Sequence, residues 1–224
     1  LEPRVQGLQP AAASRRFPSY LAPAMTQLPE LPLTLSRQEI RKMIRQRRRA
    51  LTPEQQQEMG QQAATRMMTY PPVVMAHTVA VFLSFDGELD TLPLIEQLWR
   101  AGKRVYLPVL HPFSAGNLLF LNYHPQSELV MNRLKIHEPK LDVRDVLPLS
   151  RLDVLITPLV AFDEYGQRLG MGGGFYDRTL QNWQHYKTQP VGYAHDCQLV
   201  EKLPVEEWDI PLPAVVTPSK VWEW

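Results

Sequence analysis

Cysteine is almost absent from this sequence, with Cys197 the single example among 224 residues. An internal disulfide framework is therefore excluded, and the chain suits a reducing compartment. A lone thiol is more often a small apolar side chain in a core than a nucleophile. We therefore expect Cys197 to take no part in chemistry.

Long apolar runs and a strong net charge are also missing. No run approaches the roughly 20 apolar residues of a membrane-spanning helix, and residues 1–32 contain no apolar segment long enough for a secretory signal. The formal net charge is +1, so no global field favours nucleic acid as a partner. Hydrophobic content of 44% and charged content of 21% are ordinary for a globular protein with one substantial core. We expect a cytoplasmic monomer without membrane or nucleic-acid partners.

Glycine is also scarce, yet four of the 11 glycines fall within residues 168–178, Arg-Leu-Gly-Met-Gly-Gly-Gly-Phe-Tyr-Asp-Arg. Successive glycines can turn backbone N–H groups toward one point and let a ligand come close. A helix predicted to start near Phe175 would add further free N–H groups. Arg168 and Arg178 flank the stretch with guanidinium groups suited to phosphate, and Asp177 could hold a divalent metal. The residue chemistry favours a phosphate site over a ligand-free surface turn.

Two common phosphate-binding motifs do not match this stretch. A P-loop needs a lysine followed by serine or threonine, and no lysine lies nearby. The dinucleotide fingerprint needs a third glycine where Phe175 stands, and it must directly follow a strand. The predicted strand over residues 154–158 ends well before Gly170.

The beginning of the chain shows little pattern. Prolines are scattered through residues 1–32, which we expect to form a disordered extension, while residues 33–224 should form one α/β domain. The first residue is Leu1 rather than methionine, and Met25 and Met43 are candidate translation starts.

A helix is predicted over residues 35–50, with Ser36 as its cap and with Ile40 and Ile44 facing the core. Beside this apolar face lies a stripe of basic residues at helical spacing, namely Arg37, Arg41, Arg45 and Arg48. Such a stripe is usually a solvated helix face. An RNA-binding arm is another interpretation, although the stripe lacks interleaved aromatic residues.

A strand over residues 78–83, a helix over 91–101 and a strand over 103–108 predict a parallel βαβ unit. Ligands on such sheets gather at the carboxyl ends of strands, where residues 83–88 lie. Glu88 is thus a candidate polar ligand, or simply an acid flanking the next helix. Further strands are predicted at residues 117–122, 191–194 and 214–217, and a second helix from Thr52 to about Thr69.

Two histidines are candidate catalytic residues. His137 precedes Glu-Pro and is more often structural or exposed in such a position. His195 and Asp196 form a sequence pair, but no activated serine accompanies them.

Residues 168–177 also resemble a family signature. Arg-Leu-Gly-x-Gly-x-Gly-aromatic-Tyr-Asp is typical of 5-formyltetrahydrofolate cyclo-ligases, also called methenyltetrahydrofolate synthetases. Met171 and Gly173 occupy the variable positions, where relatives often have a basic residue, so backbone amides must contribute more here. The resemblance covers about residues 35–217.

Weaker patterns support the same resemblance. The family's Ser-x-x-x-Glu-x-(Asp/Glu)-Thr pattern, whose glutamate contacts the folate, is reproduced by Ser84, Glu88, Asp90 and Thr91. Residues 132–139 resemble the family's Ile-x-Glu-Pro element, which lies near the pterin pocket.

The resemblance implies a set of site residues. The implied ATP contacts are Arg37, Arg41, Arg168, Leu169, Gly170, Met171, Gly172, Gly173, Gly174, Phe175 and Tyr176. The implied folate contacts are Leu83, Glu88, Met171, Gly172, Gly173, Gly174 and Phe175. The implied metal ligands, for Mg²⁺, are Asp177 and Asp209, and the implied catalytic residues are Arg168 and Asp177.

The resemblance further implies a single Rossmann-like α/β domain of the NagB/RpiA/CoA-transferase type, with a largely parallel sheet flanked by helices. The implied reaction is the ATP-driven closure of 5-formyltetrahydrofolate to 5,10-methenyltetrahydrofolate, with ADP and phosphate released. Two alternatives remain: a nucleic-acid-binding protein that uses the basic first helix, and a sugar-phosphate isomerase on a similar fold.

Overall fold

The computed structural model describes residues 35–224, so the extension predicted over residues 1–32 lies outside the described residues. The helices are α1 (Arg37–Arg49), α2 (Pro53–Thr69), α3 (Pro71–Met75), α4 (Leu92–Arg100) and α5 (Phe175–Leu180). The strands of the main sheet are β1 (Thr78–Ala80), β2 (Arg104–Leu110), β3 (Leu118–Tyr123), β6 (Val146–Leu147), β7 (Val154–Thr157), β10 (Gln189–Tyr193), β12 (Ala214–Val216) and β13 (Val221–Glu223). Two smaller sheets contain β4 (Leu129–Met131) with β5 (His137–Pro139), and β8 (Ala161–Asp163) with β9 (Arg168–Leu169) and β11 (Leu199–Val200).

The main sheet is largely parallel, as predicted. Its strand order is β13-β12-β10-β7-β1-β2-β3-β6, and the five strands from β12 to β2 run parallel. Strands β13, β3 and β6 pair antiparallel at the two edges. The predicted α/β class is therefore confirmed, while the edge strands β6 and β13 are too short for a sequence pattern to reveal.

The helix starts follow the chemistry of their caps. The Ser36 side chain accepts a hydrogen bond from the Glu39 amide at 3.1 Å, and Thr52 and Gln55 form a reciprocal capping box at the start of α2. Thr91 instead donates its hydroxyl to the Phe82 carbonyl at 2.6 Å, so α4 begins one residue later than predicted.

Strand β1 ends at Ala80, although the sequence predicted a strand to Leu83. The Val81 amide still donates to the Tyr106 carbonyl at 2.9 Å, after which the chain leaves the sheet. The apolar run continues because Phe82 and Leu83 contribute to the wall of a cavity.

The β8–β9 hairpin corrects one sequence inference. Arg168 and Leu169 pair antiparallel with Phe162 and Ala161, so the glycine stretch does directly follow a strand. The strand was missed because it has two residues and a turn at Gly166, where φ is +81°. Phe175 still excludes the dinucleotide fingerprint.

The main sheet is covered differently on its two faces. Helices α2 and α4 pack on one face through side chains such as Met67, Leu94 and Leu98. The small β8–β9–β11 sheet and α5 cover much of the other, with Phe162 and Leu180 in that part of the core. No helix within residues 35–224 has the length and apolar character to cross a membrane.

Helix α1 docks on the small sheet through a separate apolar cluster. Ile40 and Ile44 are 1% and 0% exposed and share this cluster with Val160, Leu169 and Val200. This packing fixes the orientation of the arginines on α1 relative to the glycine stretch.

We predict that Ile44→Ala lowers the free energy of unfolding by about 2–5 kcal/mol, because a fully buried isoleucine is replaced by a cavity. Urea denaturation would measure the loss. Lys42→Ala, an exposed position on the same helix, is the control and should stay within about 0.5 kcal/mol of wild type. An unchanged midpoint for Ile44→Ala would show that α1 is not held by this cluster.

Candidate active site

A cavity of about 540 Å³ opens at the carboxyl ends of three neighbouring strands of the main sheet. Phe82 and Leu83 follow β1, Leu110 ends β2, and Pro158 and Leu159 follow β7, and all five line the cavity. This is the edge at which parallel α/β sheets bind ligands.

Residues 170–174, which we call the glycine loop, form one wall of the cavity. Gly172 and Gly174 have φ values of +102° and +69°, a region that other residues rarely adopt. A Cβ atom at Gly173 would lie 2.8 Å from the ring of Phe175. The loop therefore needs glycine at these positions to bring its backbone to the cavity.

Two buried arginines stand beside the glycine loop. Arg41, only 6% exposed, donates from Nε to the Gly170 carbonyl at 2.7 Å. Arg168, also 6% exposed, donates from Nε to the Pro158 carbonyl at 2.8 Å and lies 5.6 Å from the ring centre of Tyr176. Burial lowers the pKa of both guanidiniums, but arginine stays charged in proteins. The cavity wall thus holds two cations that an anion would stabilise.

Both predicted metal ligands are paired with arginines. Asp209 accepts two hydrogen bonds from Arg37, at 2.7 and 3.1 Å, and one from the Glu206 amide at 2.8 Å. Asp177 lies 3.5 Å from Nη1 of Arg168. Its carboxylate also accepts from the Ile210 amide at 3.3 Å, so it lies next to the segment that contains Asp209.

The two aspartates form a sparse donor set for a metal. Within residues 35–224, no group of three or more histidine, cysteine, aspartate or glutamate side chains could hold a metal ion. Magnesium takes few protein carboxylates and completes its shell with water and phosphate oxygens. Asp177 and Asp209 fit such a site when a triphosphate supplies the remaining ligands.

Glu88 lines the cavity and lies on the connection between β1 and α4. Its Oε1 accepts from the Phe85 amide at 3.0 Å. Burial raises the pKa of Glu88 to about 7, opposed mainly by the nearby charge of Arg48. The carboxyl group therefore changes charge near neutral pH.

The turn before Glu88 is held by the end of α1. Asp86 accepts from Nε and Nη2 of Arg49 at 2.9 and 2.7 Å, and Gln56 donates to the Gly87 carbonyl at 3.3 Å. Asp86 and Gly87 both have positive φ, which makes a tight turn.

Most of the apolar wall was missed by sequence reasoning. It comes mainly from the β2–β3 hairpin and the segment after β4, with Leu107, Pro108, Leu110, Leu118, Leu134 and Ile136. Trp208 stands at the cavity with 63% of its surface exposed. The Ile-x-Glu-Pro element was the available signal: Glu138 accepts from the Leu110 amide at 3.1 Å and from Asn132 at 3.0 Å.

Three predicted features have different positions from those expected. Leu169 is 1% exposed and packs under α1, so its side chain does not line the cavity. The basic stripe is not a solvated face, because Arg41 and Arg48 are buried. Arg178, expected at phosphate, does not line the cavity and instead donates to the backbone carbonyls of Gly116 and Gly173.

His195, Asp196 and Cys197 do not line the cavity, whereas His137 does. His195 is fully buried, and burial lowers its pKa to about 4. Asp196 accepts from the Ser219 hydroxyl at 2.5 Å. Cys197 is a free thiol whose pKa is raised to about 11 by burial, so it is protonated at neutral pH.

Comparisons with known proteins agree with the resemblance seen in the sequence. Residues 34–218 match the model of the 5-formyltetrahydrofolate cyclo-ligase family. The 5-formyltetrahydrofolate cyclo-ligase of Haemophilus influenzae is 53% identical over 179 residues, which cover 80% of this chain and 96% of that protein. The enzyme of the same name from Mycolicibacterium smegmatis is 31% identical, over 83% of this chain and 95% of its own length.

A solved structure shares the fold. The NMR structure of Aquifex aeolicus 5,10-methenyltetrahydrofolate synthetase superposes with a TM-score of 0.72 at 28% identity, covering 84% of this chain and 93% of that one. The family model, the relatives and the fold agree, and the chain belongs to the 5-formyltetrahydrofolate cyclo-ligase family.

Proposed function

We propose that this protein closes 5-formyltetrahydrofolate to 5,10-methenyltetrahydrofolate in an ATP-dependent reaction that releases ADP and phosphate. The observation that best supports this function is one cavity with two unlike walls. The glycine loop and the buried Arg41 and Arg168 suit a triphosphate. The apolar wall, which includes Phe82 and Ile136, suits a flat, mostly apolar pterin ring.

The reaction needs a better leaving group than a formyl oxygen. We propose that this oxygen attacks the γ-phosphorus of ATP, the bond to the β-phosphate oxygen breaks, and ADP leaves. N10 then attacks the formyl carbon, the carbon–oxygen bond breaks, and phosphate departs as N10 loses its proton. Such phosphoryl transfer depends on positioning and charge stabilisation more than on a covalent nucleophile.

The arginines and glycine amides supply that stabilisation. Arg168 is held by the Pro158 carbonyl and Arg41 by the Gly170 carbonyl, so both cations are positioned before ligand arrives. Preorganised cations of this kind stabilise charge that develops on the transferring oxygens without a cost of reorganisation. Met171 and Gly173 add no cation, so these two arginines and Arg37 are the charges available to phosphate.

On the folate side, we propose that Glu88 accepts hydrogen bonds from the pterin, and that Leu83 and Phe175 contact its apolar faces. Glu88 is fixed through the Phe85 amide and through the turn that Arg49 holds. A desolvated carboxylate in a cavity accepts strong hydrogen bonds from ring N–H groups.

We propose that magnesium binds Asp177 and Asp209 together with the nucleotide. The ion would neutralise charge on the phosphoryl oxygens during transfer. Arg37 donates hydrogen bonds to both carboxylate oxygens of Asp209. Ligand binding would therefore break this pair, so that Arg37 contacts phosphate and Asp209 contacts the ion.

The alternatives receive less support. An RNA-binding α1 would need free cations, yet Arg37, Arg41 and Arg49 each donate to protein oxygens. A sugar-phosphate isomerase would have no use for ATP, and the apolar wall exceeds what a sugar needs. A monomeric state and a cytoplasmic location stay predictions.

The first prediction tests the function itself. Mixing protein with ATP, magnesium and 5-formyltetrahydrofolate should produce the absorbance of the methenyl product, and RNA should not compete with ATP.

Gly172→Val should abolish this turnover with the fold retained, because a branched Cβ at φ +102° closes the loop to phosphate. Gly102→Val is the matched control, since Gly102 also has positive φ (+75°) but no atom within 4 Å of the added Cβ. Normal ATP affinity in Gly172→Val would contradict a nucleotide role for the loop.

The second prediction concerns Glu88. Its pKa of about 7 lies above the usual value of 4.5, so the protonated form should bind folate poorly and folate affinity should fall as pH drops below 7. The same shift means that the contribution of Glu88 to the free energy of unfolding is fully present below pH 4.5 and is lost as pH rises through 7.

Glu88→Gln should therefore weaken folate binding at pH 8 with ATP affinity nearly unchanged. Its free energy of unfolding at pH 8 should exceed that of wild type by on the order of 1–3 kcal/mol, with the difference shrinking toward pH 4.5. Titrations with each substrate and urea denaturation at both pH values measure these effects. If Glu88→Gln lowers the affinity for ATP and not for folate, Glu88 does not belong to the folate site.

The third prediction concerns metal binding without nucleotide. Wild-type protein should bind Mn²⁺ weakly, because Arg37 occupies the Asp209 carboxylate. Arg37→Ala should raise that affinity by roughly tenfold, since charged hydrogen bonds contribute about 1.5–3 kcal/mol, while its affinity for ATP falls. Electron paramagnetic resonance of free Mn²⁺ would measure the binding.

Two controls accompany Arg37→Ala. Lys42→Ala removes the same charge from an exposed position on α1 and should leave Mn²⁺ affinity unchanged. Adding Asp209→Asn to Arg37→Ala should abolish the gain. An equal gain with and without Asp209 would remove this residue from the metal site.

A further inference from the structure

Arg178 joins two loops that lie next to each other although they are distant in sequence. Its Nε donates to the Gly116 carbonyl at 2.6 Å, and its Nη2 donates to the Gly173 carbonyl at 2.5 Å. Gly116 belongs to residues 111–117, the hairpin loop between β2 and β3, and Gly173 belongs to the glycine loop. One guanidinium therefore joins a segment 62 residues away in sequence, at Gly116, to one 5 residues away, at Gly173.

The protein forms a fitted position for this guanidinium. A Cβ atom at Gly116 would lie 2.6 Å from Nη2 of Arg178, and one at Gly174 would lie 2.8 Å from Nη1. The ring of Phe175 lies on another side, with its centre 5.4 Å from Cζ. Both glycines have positive φ, so neither could be replaced without strain or displacement of the guanidinium.

The two joined loops continue into the two walls of the cavity. Leu110 and Leu118 flank the hairpin loop and line the apolar wall, while the glycine loop lines the phosphate wall. Gly116 and Arg178 do not themselves line the cavity. A change in the Arg178 contacts would thus alter the separation of the walls without removing a ligand contact.

We infer that Arg178 is a positioning residue that holds the hairpin loop and the glycine loop at a fixed separation, so that it affects the binding of both substrates while touching neither. This inference rests on the proposed function, which assigns nucleotide to one wall and folate to the other. Lysine cannot replace arginine in this role, because it has the charge but lacks the planar fork that reaches two carbonyls.

The test uses full-length protein with the contact disrupted from either side. Arg178→Lys removes the fork, and Gly116→Ala displaces the guanidinium from a residue outside the cavity lining. Each variant should raise KM for both ATP and 5-formyltetrahydrofolate by about three- to tenfold. The double variant should be no worse than the more affected single variant, because both remove one interaction.

Gly102→Ala is the control for backbone strain. Gly102 has φ +75°, close to the +81° of Gly116, but a Cβ there meets no atom within 4 Å. Its KM values should match wild type even if its thermal stability falls. Equal effects of Gly102→Ala and Gly116→Ala on KM would overturn the inference.

Other outcomes also decide against the inference. If Arg178→Lys raises KM for ATP alone and Gly116→Ala changes neither KM, Arg178 is a phosphate ligand and not a positioning residue. Lower thermal stability with unchanged KM values would make the contact purely structural. Failure of the proposed function is seen separately, because wild-type protein would then give no methenyl absorbance at all.

Discussion

A buried positive charge governs the arrangement of this site. Arg168 is only 6% exposed, and its carboxylate partner, Asp177, lies at 3.5 Å, longer than a close ion pair. A buried guanidinium needs hydrogen-bond acceptors and a counter-charge, since leaving it unpaired is costly. The Pro158 carbonyl after β7 and Asp177 at the start of α5 supply these groups from segments that precede and follow the glycine loop in sequence. The path of the loop between β9 and α5 thus follows from the partners of one side chain.

Helix α1 connects the two halves of the cavity through a single rigid element. Arg37 and Arg41 near its start contact Asp209 and the Gly170 carbonyl, beside the phosphate wall. Arg49 at its end holds Asp86 and so the turn that precedes Glu88. Because Ile40 and Ile44 bury the face between these ends, a shift of α1 would move both groups of contacts together.

The sequence predicted local features of this structure well. The glycine stretch, the caps at Ser36 and Thr52, and the βαβ unit depend on short-range chemistry, and each is present. The strands β8 and β9 were missed because they contain three and two residues, too few for an alternating pattern.

Long-range contacts were harder to predict. Sequence spacing cannot show that Arg178 reaches the Gly116 carbonyl, 62 residues away, instead of a phosphate. The basic stripe on α1 was ambiguous for the same reason, since its acceptors at Gly170 and Asp209 come from distant segments. The apolar wall depends on a β2–β3 hairpin whose inward residues are ordinary leucines.

The pairing of two arginines with two aspartates also bears on which ligand the site accepts. Arg37 pairs with Asp209 and Arg168 pairs with Asp177, so these two of the three arginines at this wall have a carboxylate partner, while Arg41 donates to the Gly170 carbonyl. A free triphosphate would meet the two carboxylates as like charges, and a free cation would meet the two guanidiniums. Under the proposed function, a complex of nucleotide and metal satisfies all four side chains, because anion and cation arrive together. Like-charge contacts disfavour the wrong partner as effectively as attraction selects the right one. The two ion pairs therefore favour the metal–nucleotide complex over either component alone.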